Sequence, residues 1–166
     1  MKPIKLSDLI EAVEFDFVES ETRLDLQEGC VVTVDRSVLS AAEEGEEQSL
    51  DNLPDWQKKE VEIARAIAED SGKRFVGAPN KFDFHEYRQM ERFIGTVKDA
   101  EAAEQLWRAI KGKGAFRYFK DTASRLGLLE RWFQYRADAL KEFVVEWAEA
   151  HNIAYEDDLK GGRSSS

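Results

Sequence analysis

The sequence contains little cysteine, proline or histidine, the residues that form disulfides, end helices and strands, or commonly bind metals. Its 166 residues include one cysteine, three prolines and two histidines. One cysteine cannot form an internal disulfide, so a reducing cytoplasm is the expected compartment. No apolar run approaches the about 18 residues of a membrane span, and residues 1–8 lack the apolar segment of a signal peptide. These absences exclude a disulfide scaffold and predict a cytoplasmic protein with no membrane contact.

The composition is that of a folded domain. Hydrophobic residues make up 42% of the chain, with ten Phe and four Trp, which is enough apolar surface for a core without cofactor or metal. The length favours a single domain, predicted over residues 1–159. The Gly- and Ser-rich residues 160–166 are predicted to be a disordered tail.

The charge is unevenly distributed along the chain. The net charge is −10, and residues 1–70 carry 7 basic and 19 acidic side chains. Residues 105–136 carry 8 basic and 2 acidic side chains. The two regions either neutralise each other within the fold, which is the simpler hypothesis, or leave a basic surface for an acidic or phosphate-bearing partner. The net charge argues against a protein that coats nucleic acid.

Local patterns predict a small antiparallel sheet in the N-terminal half. Residues 22–26 alternate in polarity, and the β-branched residues 30–34 follow a turn in which Gly29 suits a positive φ. Residues 74–78 are predicted to be a third strand, because a hairpin alone is marginal in water. Residues 43–52 contain five acidic side chains and are predicted to be a mobile acidic loop.

Helical spacing of apolar residues dominates the remainder. Ser7 and Ser37 are predicted to cap short helices, and Pro54-Asp55 to open a longer one. About four helices are predicted in the C-terminal half: one from the capping box at Asp83 and Glu86, one over 99–110, one after Gly114, and one over 128–152. Their apolar stripes include Trp107, Phe116, Phe119, Trp132, Phe133 and Trp147, and the stripe of the longer N-terminal helix includes Trp56. The predicted class is α+β, with the sheet packed against this bundle.

Three motifs carry a family resemblance. They are a Tyr-x-x-Met-Glu-x-Phe helix at 87–93, the stretch Gly-Lys-Gly-Ala-Phe-Arg-Tyr-Phe-Lys-Asp at 112–121, and Trp-Phe-Gln-Tyr-Arg at 132–136. Over residues 82–153 the chain resembles the bacterial Uncharacterised Protein Family 0158. The resemblance implies a small bacterial cytoplasmic protein and implies no activity.

The Gly-Lys-Gly segment is the first candidate site. Gly112, Lys113 and Gly114 precede a helix whose first N–H groups and positive dipole end could hold an anion, with Arg117 and Lys120 adding charge. The Walker A spacing is absent, so the signal is weaker than that motif. The favoured alternative is a tight turn between helices, with Lys113 in solvent.

A second candidate combines aromatic and basic side chains. Trp132, Tyr135 and Arg136 are of the types that bind a base or form a protein hot spot. The favoured alternative is that Trp132 and Phe133 belong to the core while Arg136 extends past them to solvent or pairs with an acid from the N-terminal half.

The sequence contains no recognisable catalytic or metal-binding pattern. His85 and His151 lack zincin spacing, and Cys30 has no base among its sequence neighbours. We therefore predict a non-catalytic interaction or regulatory module with a protein partner. The alternatives are an anion-binding domain that takes a nucleotide or nucleic-acid phosphate at the Gly-Lys-Gly segment, and an enzyme of unrecognised type.

Overall fold

The computed structural model describes residues 1–15, 19–45 and 52–159. The predicted α+β class is confirmed, with a three-stranded antiparallel sheet in the N-terminal half and helices predominating after it. The chain divides into two compact units, the first comprising Met1–Asn80 and Val144–Ser166 and the second Lys81–Phe143. The single domain over 1–159 stays a prediction. Most of the predicted acidic loop (46–51) and the predicted tail (160–166) lie outside the described residues.

The elements follow the predicted order, with two short strands added near the chain ends and one short helix, Lys81–Phe84, added before the predicted helices of the C-terminal half. In chain order they are β1 (Ile4–Lys5), α1 (Leu6–Glu14), β2 (Ser20–Asp25), β3 (Cys30–Asp35), α2 (Arg36–Glu43), α3 (Asp55–Glu69), β4 (Phe75–Gly77), α4 (Lys81–Phe84), α5 (Glu86–Ile94), α6 (Ala100–Ala109), α7 (Ala115–Arg125), α8 (Leu129–Ala150) and β5 (Tyr155–Glu156). Within the described ranges, no helix is long and apolar enough to cross a membrane.

The sheet is built on a tight hairpin. Its strand order is β3-β2-β4, and Leu24 lies opposite both Val31 and Val76. Gly29 has a φ of 69°, as the turn pattern predicts, and it is also closely approached by the residues that precede β1. A Cβ there would lie 2.7 Å from the Lys2 Cβ atom and 2.8 Å from the Pro3 carbonyl oxygen. Only glycine fits this turn without moving the chain that crosses it.

The two ends of the first unit are joined by contacts of very long sequence separation. β1 pairs in parallel with β5, so Ile4 lies opposite Tyr155. The predicted cap of α1 is wrong, because Ser7 lies inside the helix and Lys5 occupies the N-cap position. Ser7 instead donates from both its backbone N–H and its hydroxyl to the carboxylate of Asp158. The cap of α1 therefore comes from the far end of the chain.

Helices α2 and α3 pack on β3 through a small apolar cluster. Val34, Leu39 and Ala64 are buried, and Ile63 and Ile67 pack against them. Trp56, which the stripe of α3 included, is 65% exposed. It lies in the first turn of α3, before the part of the helix that packs against α2.

The core of the second unit is aromatic. Phe93 and Trp132 lie with their ring centroids 5.5 Å apart, and Phe119 lies 4.9 Å from Trp132, both edge to face. All three are buried, among apolar residues of α5, α6 and α7. Aromatic pairs in this geometry add stabilisation beyond the area they bury.

The predicted capping box at the start of this unit is wrong. His85 adopts a left-handed conformation with φ 55° and ψ 64°, which separates the short α4 from α5. Asp83 therefore lies in α4, and α5 starts at Glu86. Histidine tolerates this conformation better than most side chains do, and no local pattern announces it.

Candidate functional site

The Gly-Lys-Gly segment forms the connection between α6 and α7. Gly112 and Gly114 have φ values of 91° and 73°, so both positions favour glycine for conformational reasons. Gly114 is the N-cap of α7 and supplies no side-chain cap. A Cβ on Gly114 would lie 3.2 Å from the Tyr118 Cε2 atom, so the missing side chain also makes room for the tyrosine ring. This geometry supports the tight-turn interpretation and leaves the first N–H groups of α7 without a side-chain acceptor.

The three predicted anion-binding cations are all exposed. Lys113 lies in the connection, and Arg117 and Lys120 lie on α7. Arg117 is 3.9 Å from Asp121 in a pair exposed on both sides, which contributes little to stability. Within the part of the chain that the structure describes, Lys113 and Lys120 form no ion pair. Their charge is available to a partner.

One side of α7 combines two of these cations with an aromatic ring. Phe116, Arg117 and Lys120 are exposed, and Lys120 lies four residues after Phe116 and three after Arg117, so it is a neighbour of both on the helix surface. We call these three residues the outer face of α7. The opposite side buries Ala115 and Phe119.

The structure places Trp132, Tyr135 and Arg136 around the aromatic core. Trp132 is 1% exposed, and the partly buried Tyr135 lies 5.5 Å from the Phe93 ring. The Nε and Nη2 groups of Arg136 donate to the two carboxylate oxygens of Glu86 at 2.9 and 3.0 Å. Both side chains of this pair are less than 20% exposed. The burial of Trp132 matches the favoured alternative, but two of its parts are wrong. Phe133 is 50% exposed, and the acid that pairs with Arg136 is Glu86 of the second unit, not an acid of the N-terminal half.

Sequence reasoning missed which aromatic side chains reach the surface. Trp107, Phe116 and Phe133 are 39%, 47% and 50% exposed, although their helical stripes placed them in the core. Leu106 and Trp132 occupy the buried positions beside two of them. A stripe identifies the apolar side of a helix, but the neighbouring helix decides which residue at its edge is covered.

Sequence reasoning also missed a cleft between α6 and α7. It has a volume of about 710 Å³, and its walls include Gln105, Tyr118, Thr122 and Arg125. The last three are spaced at three or four residues along one side of α7, a pattern visible in the sequence. Nothing in that pattern shows that α6 stands opposite it.

Cys30 and the acidic side chains form no metal site in the parts of the chain that are described. There, no group of three or more His, Cys, Asp or Glu residues could hold a metal ion. Burial and the nearby carboxylates of Asp25 and Glu28 raise the pKa of the Cys30 thiol, which disfavours the thiolate.

Comparison with known proteins supplies a family. No curated protein and no solved structure matches the chain significantly. A family model does match, over residues 1–164, which extends the resemblance beyond 82–153 to both units. The chain therefore belongs to the Uncharacterised protein family (UPF0158).

Proposed function

We propose that the chain is a non-catalytic interaction module that binds an acidic protein partner through the outer face of α7. The observation that carries the proposal is an exposed aromatic ring, Phe116, on the same face of the helix as the cations Arg117 and Lys120. Aromatic residues and arginine are enriched at protein interfaces. An aromatic ring among cations suits a partner that presents carboxylates around an apolar contact.

The charge of the second unit supports an acidic partner. Residues 81–143 carry 13 basic and 10 acidic side chains, although the whole chain has a net charge of −10. The whole excess comes from residues 105–136, with 8 basic and 2 acidic side chains, because the remainder of the unit is net acidic. Such a local field raises the rate of encounter with a partner of opposite charge and disfavours basic partners.

A bacterial cytoplasmic setting is part of the same proposal. It is supported by the resemblance to a bacterial family and by the single cysteine, whose side chain has no disulfide partner. An interaction that relies on surface charge would work there at moderate ionic strength.

The test is a tagged purification of the full chain from its native host, with and without nuclease. We compare the unmodified chain with the variant Arg117→Glu/Lys120→Glu. The control is Lys59→Glu/Lys73→Glu, which makes the same change of net charge at exposed lysines of the first unit. The readout is the identity and stoichiometry of the proteins that co-elute.

The proposal expects a stoichiometric acidic protein that survives nuclease, is lost from the α7 variant and is kept by the control. A partner kept by both variants would show that the outer face of α7 is not the interface. A third variant, Phe116→Ala, is tested by itself. It leaves the net charge unchanged, so any loss of partner binding measures the contribution of the aromatic ring.

Anion binding at the Gly-Lys-Gly connection is the second candidate. It is favoured by the uncapped first turn of α7 beside Lys113, a cation without an ion pair in the described parts of the chain. Nuclease-sensitive nucleic acid in the same purification, lost on Lys113→Glu, would support it. Purification free of nucleic acid and of phosphate would contradict it.

A further inference from the structure

The cleft between α6 and α7 has the size of a small-molecule site and a mostly polar lining. Its volume of about 710 Å³ lies within the range of about 300–1,000 Å³ that is usual for ligand pockets. Gln105 and Arg108 of α6 face Tyr118, Thr122 and Arg125 of α7 across it. The cleft therefore offers polar groups and one aromatic ring to an occupant. It is separate from the outer face of α7.

Thr122 is the first sign that the cleft accepts a polar group. The residue is 8% exposed and lies in the cleft wall. Its hydroxyl forms no hydrogen bond with any residue that the structure describes. A buried hydroxyl without a partner is destabilising and requires an explanation. A ligand oxygen in the cleft would give the Thr122 hydroxyl a hydrogen-bond partner.

The cations of the cleft indicate the charge of that ligand. Arg108 is paired with Glu104, whereas Lys111 has no ion pair among the described residues. Arg125 donates from Nη2 to the Gln105 Oε1 atom at 3.2 Å, and within the described ranges no carboxylate pairs with it. Besides the Arg108–Glu104 pair, the cleft thus has two cations without an ion pair and one carboxylate, that of Glu101. A phosphate monoester fits this balance, because arginine and lysine both bind its oxygens.

Tyr118 indicates the shape of the ligand. The residue is 56% exposed and lies against Gly114, which leaves space for its ring. An exposed aromatic face can stack on a planar heterocycle. We propose that the α6–α7 cleft binds a nucleoside monophosphate, with its phosphate at Lys111 and Arg125, a hydrogen bond to Thr122 and its base on Tyr118. This proposal does not depend on the protein-interaction function proposed above.

The test is titration calorimetry of the full chain with AMP, adenosine and inorganic phosphate. We expect AMP to bind more tightly than either fragment, because it uses the ring and the cations together. Arg125→Gln is expected to weaken AMP binding about tenfold through the loss of a charge-assisted hydrogen bond. Thr122→Val keeps the side-chain shape and is expected to weaken it about fivefold. Both variants are checked for an unchanged circular dichroism spectrum.

The matched control is Arg117→Gln, which removes the same charge from the outer face of the same helix. It should leave AMP affinity within about twofold, since an exposed charge outside the cleft is screened. Absence of AMP binding at millimolar concentrations overturns the proposal. So does an affinity that Arg125→Gln and Arg117→Gln weaken equally. Loss of AMP binding on Lys113→Gln with Arg125→Gln unaffected would also overturn it and would favour the Gly-Lys-Gly connection instead.

Discussion

Replacement of Asp25 by alanine should destabilise the protein strongly, because this carboxylate joins three parts of the N-terminal sheet. Asp25 ends β2, and its side chain is 4% exposed. It accepts hydrogen bonds from the backbone N–H groups of Gln27 and Glu28 in the hairpin turn, at 3.0 and 3.2 Å. Arg74, beside β4, donates from Nε and Nη2 to its two oxygens at 3.0 and 2.9 Å.

The expected loss in the free energy of unfolding is about 3 kcal/mol. Breaking a buried ion pair by removing one partner costs about 3–5 kcal/mol. Arg74 is 34% exposed, so water recovers part of its solvation and the value falls to the lower end of that range. Asp25→Asn keeps an acceptor oxygen for the turn and should cost less than alanine, because it removes mainly the charge.

The assay is urea unfolding followed by circular dichroism, with Arg74→Met and the double variant completing a double-mutant cycle. The cycle should give a coupling energy of about 1–2 kcal/mol, as expected for a charge-assisted hydrogen-bonded pair. A loss below about 1 kcal/mol for Asp25→Ala would refute the claim that this is a buried ion pair, since losses of that size are typical of exposed ion pairs.

The same pair predicts a dependence on pH. The hydrogen bond from Arg74 holds the pKa of the Asp25 carboxyl below its ordinary value. A carboxyl with a lowered folded-state pKa contributes its full stabilisation above the unfolded-state pKa, about 4, and loses it as the pH falls through the folded-state pKa. The unmodified protein should therefore lose stability below about pH 4 more steeply than Asp25→Asn does.

Three further predictions concern packing and capping. Phe119→Ala should cost about 3–5 kcal/mol in urea unfolding, because the ring is fully buried, whereas Phe116→Ala on the same helix should cost less than about 1 kcal/mol. Arg136→Met should cost about 3 kcal/mol by leaving Glu86 unpaired, and loss of less than a third of that would contradict a structural role for the pair. Asp158→Ala should lower the stability by removing the cap of α1, and amide hydrogen exchange should then accelerate in the first turn of that helix.

Local sequence signals predicted the elements well. The polar alternation of residues 22–26, the glycine turn and the β-branched return strand predicted the β2–β3 hairpin, because a tight turn and its strands interact within a few residues. The helices from Asp55 onward follow apolar spacing in the same way. The exposure of Lys113 was also predicted, since a lysine between two glycines has no apolar neighbour to cover it.

Contacts between distant residues could not be predicted from those signals. Pairing of β1 with β5 and the capping of α1 by Asp158 join residues about 150 positions apart, and nothing local marks either partner. No local sequence pattern predicts the left-handed conformation of His85 either.

The sequence by itself determined the α+β class, the order of the helices and the basic character of residues 105–136. Those properties depend on composition and on periods of a few residues. The tertiary structure alone decided that Trp132 is buried while Phe133 is exposed, and that Thr122 lines a polar cleft. The reason is that two adjacent apolar residues at the edge of a helix stripe are equally suited to burial, and only the packing of the neighbouring helix determines which one is covered.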